Sequence, residues 1–217
     1  SVYDLYGPPD HDQIAAGVDA NYDGVAWGSE FTSDLATPDV WTNLLTYSEQ
    51  FDIAAWTKLG DTTVSSANVS VGADGETTAD RVTYTTGGAS NPIRKTGLTL
   101  VNGTTYRISF WAKSISGVTS LSVDLGNQYP TAVAITSTLT RYSVTITANA
   151  TAASNGWVDV EASGGAAVVD FWGAQLEAAS TAGPYTPTTA AARARFDGYT
   201  FSRASSQTYT KSDGTLG

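Results

Sequence analysis

The 217-residue chain has no cysteine, no methionine and a single histidine, and its first basic residue is Lys58. Without cysteine there is no disulfide framework and no thiol chemistry, which leaves the redox compartment open. No apolar run reaches the length of a membrane span, and Ser1 is not followed by a signal-peptide pattern. The lone histidine, His11, sits among acids with no serine partner nearby, and no His/Cys cluster, Gly-rich phosphate loop or basic groove is present. These absences argue against nucleophilic, zinc-dependent and nucleotide chemistry. Hydrolysis by paired carboxylates retains candidates in Asp124, Asp159 and Glu161, but carboxylates on strand surfaces are ordinarily just solvated. The expectation is therefore a protein that is not an enzyme.

What is present is unevenly placed. The formal net charge is −10, and residues 1–57 hold ten of the 21 acids with no Lys or Arg. The remaining eleven acids are balanced by all eleven basic residues. An acidic arm repels nucleic acid and anionic lipid and attracts cations, so neither nucleic acid binding nor membrane insertion is expected. Within the arm, Asp19, Asn21, Asp23 and Gly24, followed after five residues by Glu30, match a calcium-loop spacing. Alternate oxygens at 19, 21 and 23 would wrap one side of a hard cation. The Val25 carbonyl would add a ligand and Glu30 would close the other side. Small Ala26 at the eighth loop position and poor flanking helices disfavour a paired sensor. A lone Ca2+-stapled turn and an ordinary Asx/Gly turn both remain open.

Across the whole chain, 21 glycines, abundant Thr, Ser and Val and 15% charged content suit an all-β protein with many tight turns. Thr105–Lys113 alternates Tyr106, Ile108, Phe110 and Ala112 against Arg107, Ser109, Trp111 and Lys113. Ser120–Asp124, Arg141–Ile146, Trp157–Glu161 and Val168–Trp172 repeat the pattern. Asp74-Gly75, Gly87-Gly88, Asn102-Gly103, Asn155-Gly156 and Gly164-Gly165 punctuate it as turns. This predicts an antiparallel, jelly-roll-like β-sandwich over 41–190, with an irregular acidic arm over 1–40 and a linker with a short tail over 191–217. If the Ile, Val and Leu side of each strand faces inward, the other side gathers Trp111, Trp157 and Trp172 with Arg107, Asp124, Arg141, Asp159 and Glu161. Flat indoles for pyranose C–H faces, beside carboxylates and guanidinium forks for hydroxyls, suit carbohydrate binding. The same tryptophans equally suit an assembly interface, and the sequence leaves both open.

Several segments also carry a resemblance. Asn43–Trp56 (NLLTYSEQFDIAAW), Asp74-Gly75, Thr78-Ala79-Asp80, Arg107–Trp111, Trp172–Glu177 (WGAQLE) and Tyr185–Thr188 follow one another as in a β-sandwich module of tailed-phage virion proteins. The chain resembles that module over roughly 150 residues. Phe201-Ser202-Arg203-Ala204-Ser205, Tyr209 and Asp213–Leu216 resemble a second phage motif, one that in such proteins often precedes the sandwich and here follows it. The resemblance implies a fibre, spike or tail-appendage protein of a virion that recognises host-surface polysaccharide and assembles with other virion proteins and with copies of itself. It implies a ligand groove on one sheet. It also implies a structural calcium near the joined first and last strands, for which Asp52 and Asp170 are candidates. A structural decoration or connector protein is the alternative reading.

Overall fold

The computed structural model describes residues 40–88, 90–128 and 132–196. The calcium-loop residues Asp19, Asn21, Asp23, Val25 and Glu30, His11 and the motif after residue 196 lie outside the described residues. Val40–Arg195 forms a compact unit. Its strands in chain order are β1 (Val40–Asn43), β2 (Thr57–Lys58), β3 (Thr63–Val71), β4 (Thr77–Tyr84), β5 (Ile93–Thr96), β6 (Thr105–Gly117), β7 (Ser120–Leu125), β8 (Val133–Ala134), β9 (Thr140–Thr147), β10 (Trp157–Ala162), β11 (Ala167–Glu177) and β12 (Arg193–Phe196). One sheet has the order β2-β5-β10-β7-β8, the other β3-β4-β11-β6-β9, and the strand pairs within both are antiparallel. β1 and β12 form a separate pair.

The sandwich follows from the alternation. Tyr106, Ile108, Phe110 and Ala112 of β6 are buried together with Val169 and Phe171 of β11 and Val144 and Ile146 of β9. Leu121, Val123, Leu125, Val158 and Val160 face them from the other sheet, so one continuous core lies between the two. Phe51, Phe110, Phe171 and Trp56 make tilted ring contacts at its centre, with centroids 4.8 to 5.9 Å apart. Each such large side chain contributes about 1.5–3 kcal/mol by leaving water.

The Asn43–Trp56 stretch begins as a strand but mostly plugs the core as a loop, sending in Leu45, Phe51 and Trp56. Asn43 is fully buried and makes four hydrogen bonds. Its Nδ2 donates to the Ala174 and Thr186 carbonyls, and its Oδ1 accepts from the Leu45 and Leu176 amides. Ser48 Oγ accepts from the Thr188 amide and bonds the Tyr185 hydroxyl, while Thr188 Oγ1 donates to the Leu45 carbonyl. Gln175 holds the same exit segment through the Thr186 amide and the Pro184 carbonyl. The motifs at the two ends of the sandwich are thus one hydrogen-bonded lock, and their side chains serve the fold.

Two expectations change. The Ala-Arg alternation at 192–195 is not a linker but the start of β12, so the compact unit runs to Arg195 rather than ending at 190. Asn155-Gly156 closes a six-residue helix, α1 (Ala150–Asn155), where a plain turn was expected. Asn149 caps its start through the Ala152 amide, and Gly156 ends it at φ 62°, a left-handed conformation natural to glycine.

Candidate functional site

The residues expected to share one face occupy two. Trp111, Trp172, Arg107 and Arg141 lie on β6, β11 and β9, whereas Trp157, Asp159 and Glu161 lie on β10 and Asp124 on β7, in the other sheet. Both groups point away from the shared core, so they sit on opposite outer faces of the sandwich. Strand alternation separates inside from outside but does not say which sheet a strand joins, and that is the physical origin of the error.

On the β6–β11–β9 face the chain covers its own tryptophans. After β11 it returns across the sheet, where the Gly183 carbonyl accepts from Arg141 Nη1 (2.8 Å) and the Gly183 amide donates to Glu177 (3.1 Å). Tyr185 then packs on both Trp111 and Trp172, with centroids 5.1 and 4.9 Å away. Trp172 is only 4% exposed and its Nε1 donates to Thr78 Oγ1, so it is a packing residue and not a stacking platform. Trp111 is half-buried between Trp172, Tyr185 and the Arg141 guanidinium, 4.8 Å from the ring. Arg107 donates to the hydroxyls of Thr145 and Ser143 on the neighbouring strand. Gly173, at φ 58° in the irregular stretch of β11, leaves room for the Trp111 and Tyr185 rings. A Cβ there would come within 3.0 Å of the first and 3.1 Å of the second.

The opposite face carries a more reactive arrangement. Register places Asp159 of β10 directly between Arg94 of β5 and Asp124 of β7. Like charges opposed across strands repel, and Arg94 relieves this by gripping Asp159 with Nε at 2.6 Å and Nη2 at 2.5 Å. The same guanidinium lies 3.8 Å from the centroid of the Trp157 ring, a cation–π contact that fixes both side chains. Glu161, two residues along β10, points to the same side, opposite Ser122. Although this is the outer face, Asp124, Asp159 and Glu161 are only 0%, 1% and 4% exposed. Burial, partly offset by Arg94 and reinforced by Asp124, raises the Asp159 carboxyl to about 6. Burial and then the neighbouring Asp159 and Asp124 raise Glu161 to about 7. Glu161 Oε2 has no hydrogen-bond partner among the described residues. Half-buried Trp157 and Arg94 border this bed of acids, and Ser122 and Ser163, bonded to each other at 2.9 Å, lie alongside. The face offers an indole flanked by a guanidinium above carboxylates that are almost wholly buried, an aromatic and polar surface of the kind a polyhydroxylated ring binds.

Sequence reading missed Arg94, because a four-residue strand is too short for alternation to be read. The signal that was available is electrostatic: an acid placed on a strand as apolar as β10 calls for a cation, and Arg94 supplies it from the next strand. Of the calcium candidates Asp52 and Asp170, the second is held in an ion pair. Burial pushes the Asp170 carboxyl up, but a bidentate Arg81 grip (2.7 and 3.0 Å) with Lys113 at 3.5 Å more than offsets it and holds it below its ordinary value. The Asp52 and Ile53 carbonyls both accept from Lys58 Nζ at 2.8 Å. Buried Asp80 accepts from the Phe51, Asp52 and Asn68 amides. Among the described residues no three His, Cys, Asp or Glu side chains are grouped so as to hold a metal.

The two-sheet antiparallel sandwich matches the jelly-roll-like fold of carbohydrate-binding modules. Residues 43–166, more than half of the chain, match the family described as carbohydrate binding domain, and the chain belongs to that family. Domains of this class are themselves non-catalytic, though often attached to enzymes. Among solved structures, the C-terminal family 22 carbohydrate binding module of a Clostridium thermocellum xylanase is 18% identical with a TM-score of 0.49, the match covering 65% of this chain and 96% of that one. A structure of xylanase 10B from the same organism, with binding and catalytic modules and bound xylohexaose, is 19% identical with a TM-score of 0.47, covering 66% of this chain. The enzymatically active domain of a tailspike protein from bacteriophage CBA120 is 13% identical with a TM-score of 0.41, covering 62% of this chain. The chain spans 30% and 21% of these last two, respectively. No curated protein matches it.

Proposed function

We propose that this protein is a non-catalytic glycan-recognition component of a phage or phage-like virion appendage, and that it binds host-surface polysaccharide on the β5–β10–β7 face. The observation that carries the reading is the Trp157–Arg94–Asp159 unit, in which a half-buried indole is fixed by a guanidinium that is itself fixed by a buried carboxylate. Preorganised side chains lose little entropy when a ligand docks on them. Asp124 and Glu161 lie buried beside that platform and make its surroundings acidic. The virion setting rests on the order of phage-like motifs in the sequence. In this reading the acidic arm attaches the chain to a basic virion partner or is neutralised by calcium at Asp19, Asn21, Asp23, Val25 and Glu30, while residues 41–217 carry self-association. An assembly interface built on the tryptophans is disfavoured, since Trp172 is buried and Trp111 is covered by the chain's own return segment.

The test is a glycan-array screen of the purified protein and of Trp157→Ala, each with and without calcium. The expected result is a defined set of bound glycans that the variant no longer retains. A folded wild-type protein that retains no glycan, or a variant that keeps the full set, would overturn the reading.

A further inference from the structure

The β5–β10–β7 face is electrostatically one-sided. Among the described residues it gathers three carboxylates, Asp124, Asp159 and Glu161, and one guanidinium, Arg94, which closes a bidentate pair with Asp159. Glu161 is 4% exposed, and its Oε2 is buried with no hydrogen-bond partner among the described residues. A buried carboxylate oxygen left in that condition is costly, and a donor brought by the ligand recovers the cost on binding. A positively charged donor recovers most, because hydrogen bonds between ionised partners are the stronger ones. An anionic ligand would add a like charge to the same desolvated bed.

A single metal ion is a poor candidate for that donor. Glu161 stands two residues from Asp159 along β10, roughly 7 Å at strand rise, and Asp124 lies opposite Asp159 on the adjacent strand β7. Among the described residues no such set converges as a metal ligand group. The acids lie side by side on two adjacent strands, and a face of that kind suits donors distributed along a chain.

We propose that the preferred ligand is a glycan carrying free amino groups, meaning de-N-acetylated hexosamine residues, with Glu161 receiving an ammonium, and that uronate- or sulfate-bearing glycans are rejected. This deepens the glycan reading above and rests on it. Trp157 supplies the stacking surface common to any pyranose, and Glu161 supplies the discrimination.

Calorimetric titration of the full chain at near-physiological salt tests it, with a glucosamine hexamer, the matching N-acetylglucosamine hexamer and an oligogalacturonate as probes. The glucosamine hexamer is expected to bind roughly tenfold or more tighter than its acetylated counterpart, and the galacturonate not to bind. Glu161→Gln, which keeps the side-chain shape, should reduce that preference to roughly threefold or less. Glu76→Gln, which removes the same charge from an exposed turn, should leave the preference intact and so separates the site from general attraction to an acidic protein. A preference that survives Glu161→Gln, or equal binding of the amine, acetylated and galacturonate probes, would overturn the proposal. So would Glu161-dependent binding of calcium alone. If neutral glycans still bind in a Trp157-dependent manner, that failure leaves the glycan reading standing, whereas loss of all glycan binding in the wild-type protein removes both.

Discussion

Replacing Glu161 by glutamine removes one ionisable group from the acid bed while preserving its volume. The folded protein raises the Glu161 carboxyl from 4.5 to about 7, through burial first and then Asp159 and Asp124, with Arg94 opposing. Every tenfold change in proton affinity corresponds to about 1.4 kcal/mol, so the native protein loses at most about 3 kcal/mol as this group ionises. Between pH 4.5 and 7 the native chain holds a proton that the unfolded chain has released, so stability falls as pH rises through this window and is flat above it. Asp159, raised to about 6, contributes a similar fall at lower pH in both proteins. Glu161→Gln lacks the upper fall. Urea unfolding followed by tryptophan fluorescence should give matching stabilities near pH 4 and a variant up to about 3 kcal/mol more stable at pH 8. Parallel stability curves from pH 4 to pH 8 would refute the claim that Glu161 is buried at a net cost.

Asn43→Ala should destabilise the sandwich by an amount on the order of 4 kcal/mol, because four buried partners lose their hydrogen bonds together. Chemical denaturation measures it, and a cost below about 1 kcal/mol would show that the two end motifs are not one lock. If Asp19, Asn21, Asp23, Val25 and Glu30 hold calcium, EGTA should open protease cleavage sites within residues 1–40 while residues 41–195 stay intact. Identical digestion with and without chelator would contradict the calcium loop.

The sequence carried the sandwich wherever strands are half-buried and long. Alternation exposed β6, β7, β9, β10 and β11 because each sets a row of Ile, Val, Leu or aromatic residues against polar ones. It was silent on β3, whose residues are mostly exposed as befits an edge strand, and on β5, where Arg94 and Lys95 follow a single apolar residue. Trp157, Asp124 and Asp159 do lie together, on two neighbouring strands of one sheet. Trp111, Trp172 and Arg107 were grouped with them only because in-out alternation is the same in both sheets. What moved Trp172 into the interior is the return segment through Tyr185, a contact between residues whose pairing no local pattern announces. The end motifs, legible as a resemblance, turned out to be structural once Asn43, Ser48 and Gln175 were seen to bind one another's segments.

The most direct measurement compares the two faces. Calorimetric titration with a glycan retained by the wild-type protein should show Trp157→Ala weakened by about 1–3 kcal/mol, the loss expected when a stacked aromatic is removed. Trp111→Ala, on the covered face, should keep its affinity within about threefold so long as it remains folded. Full affinity in Trp157→Ala together with lost affinity in a folded Trp111→Ala would place the glycan on the other sheet and contradict the account.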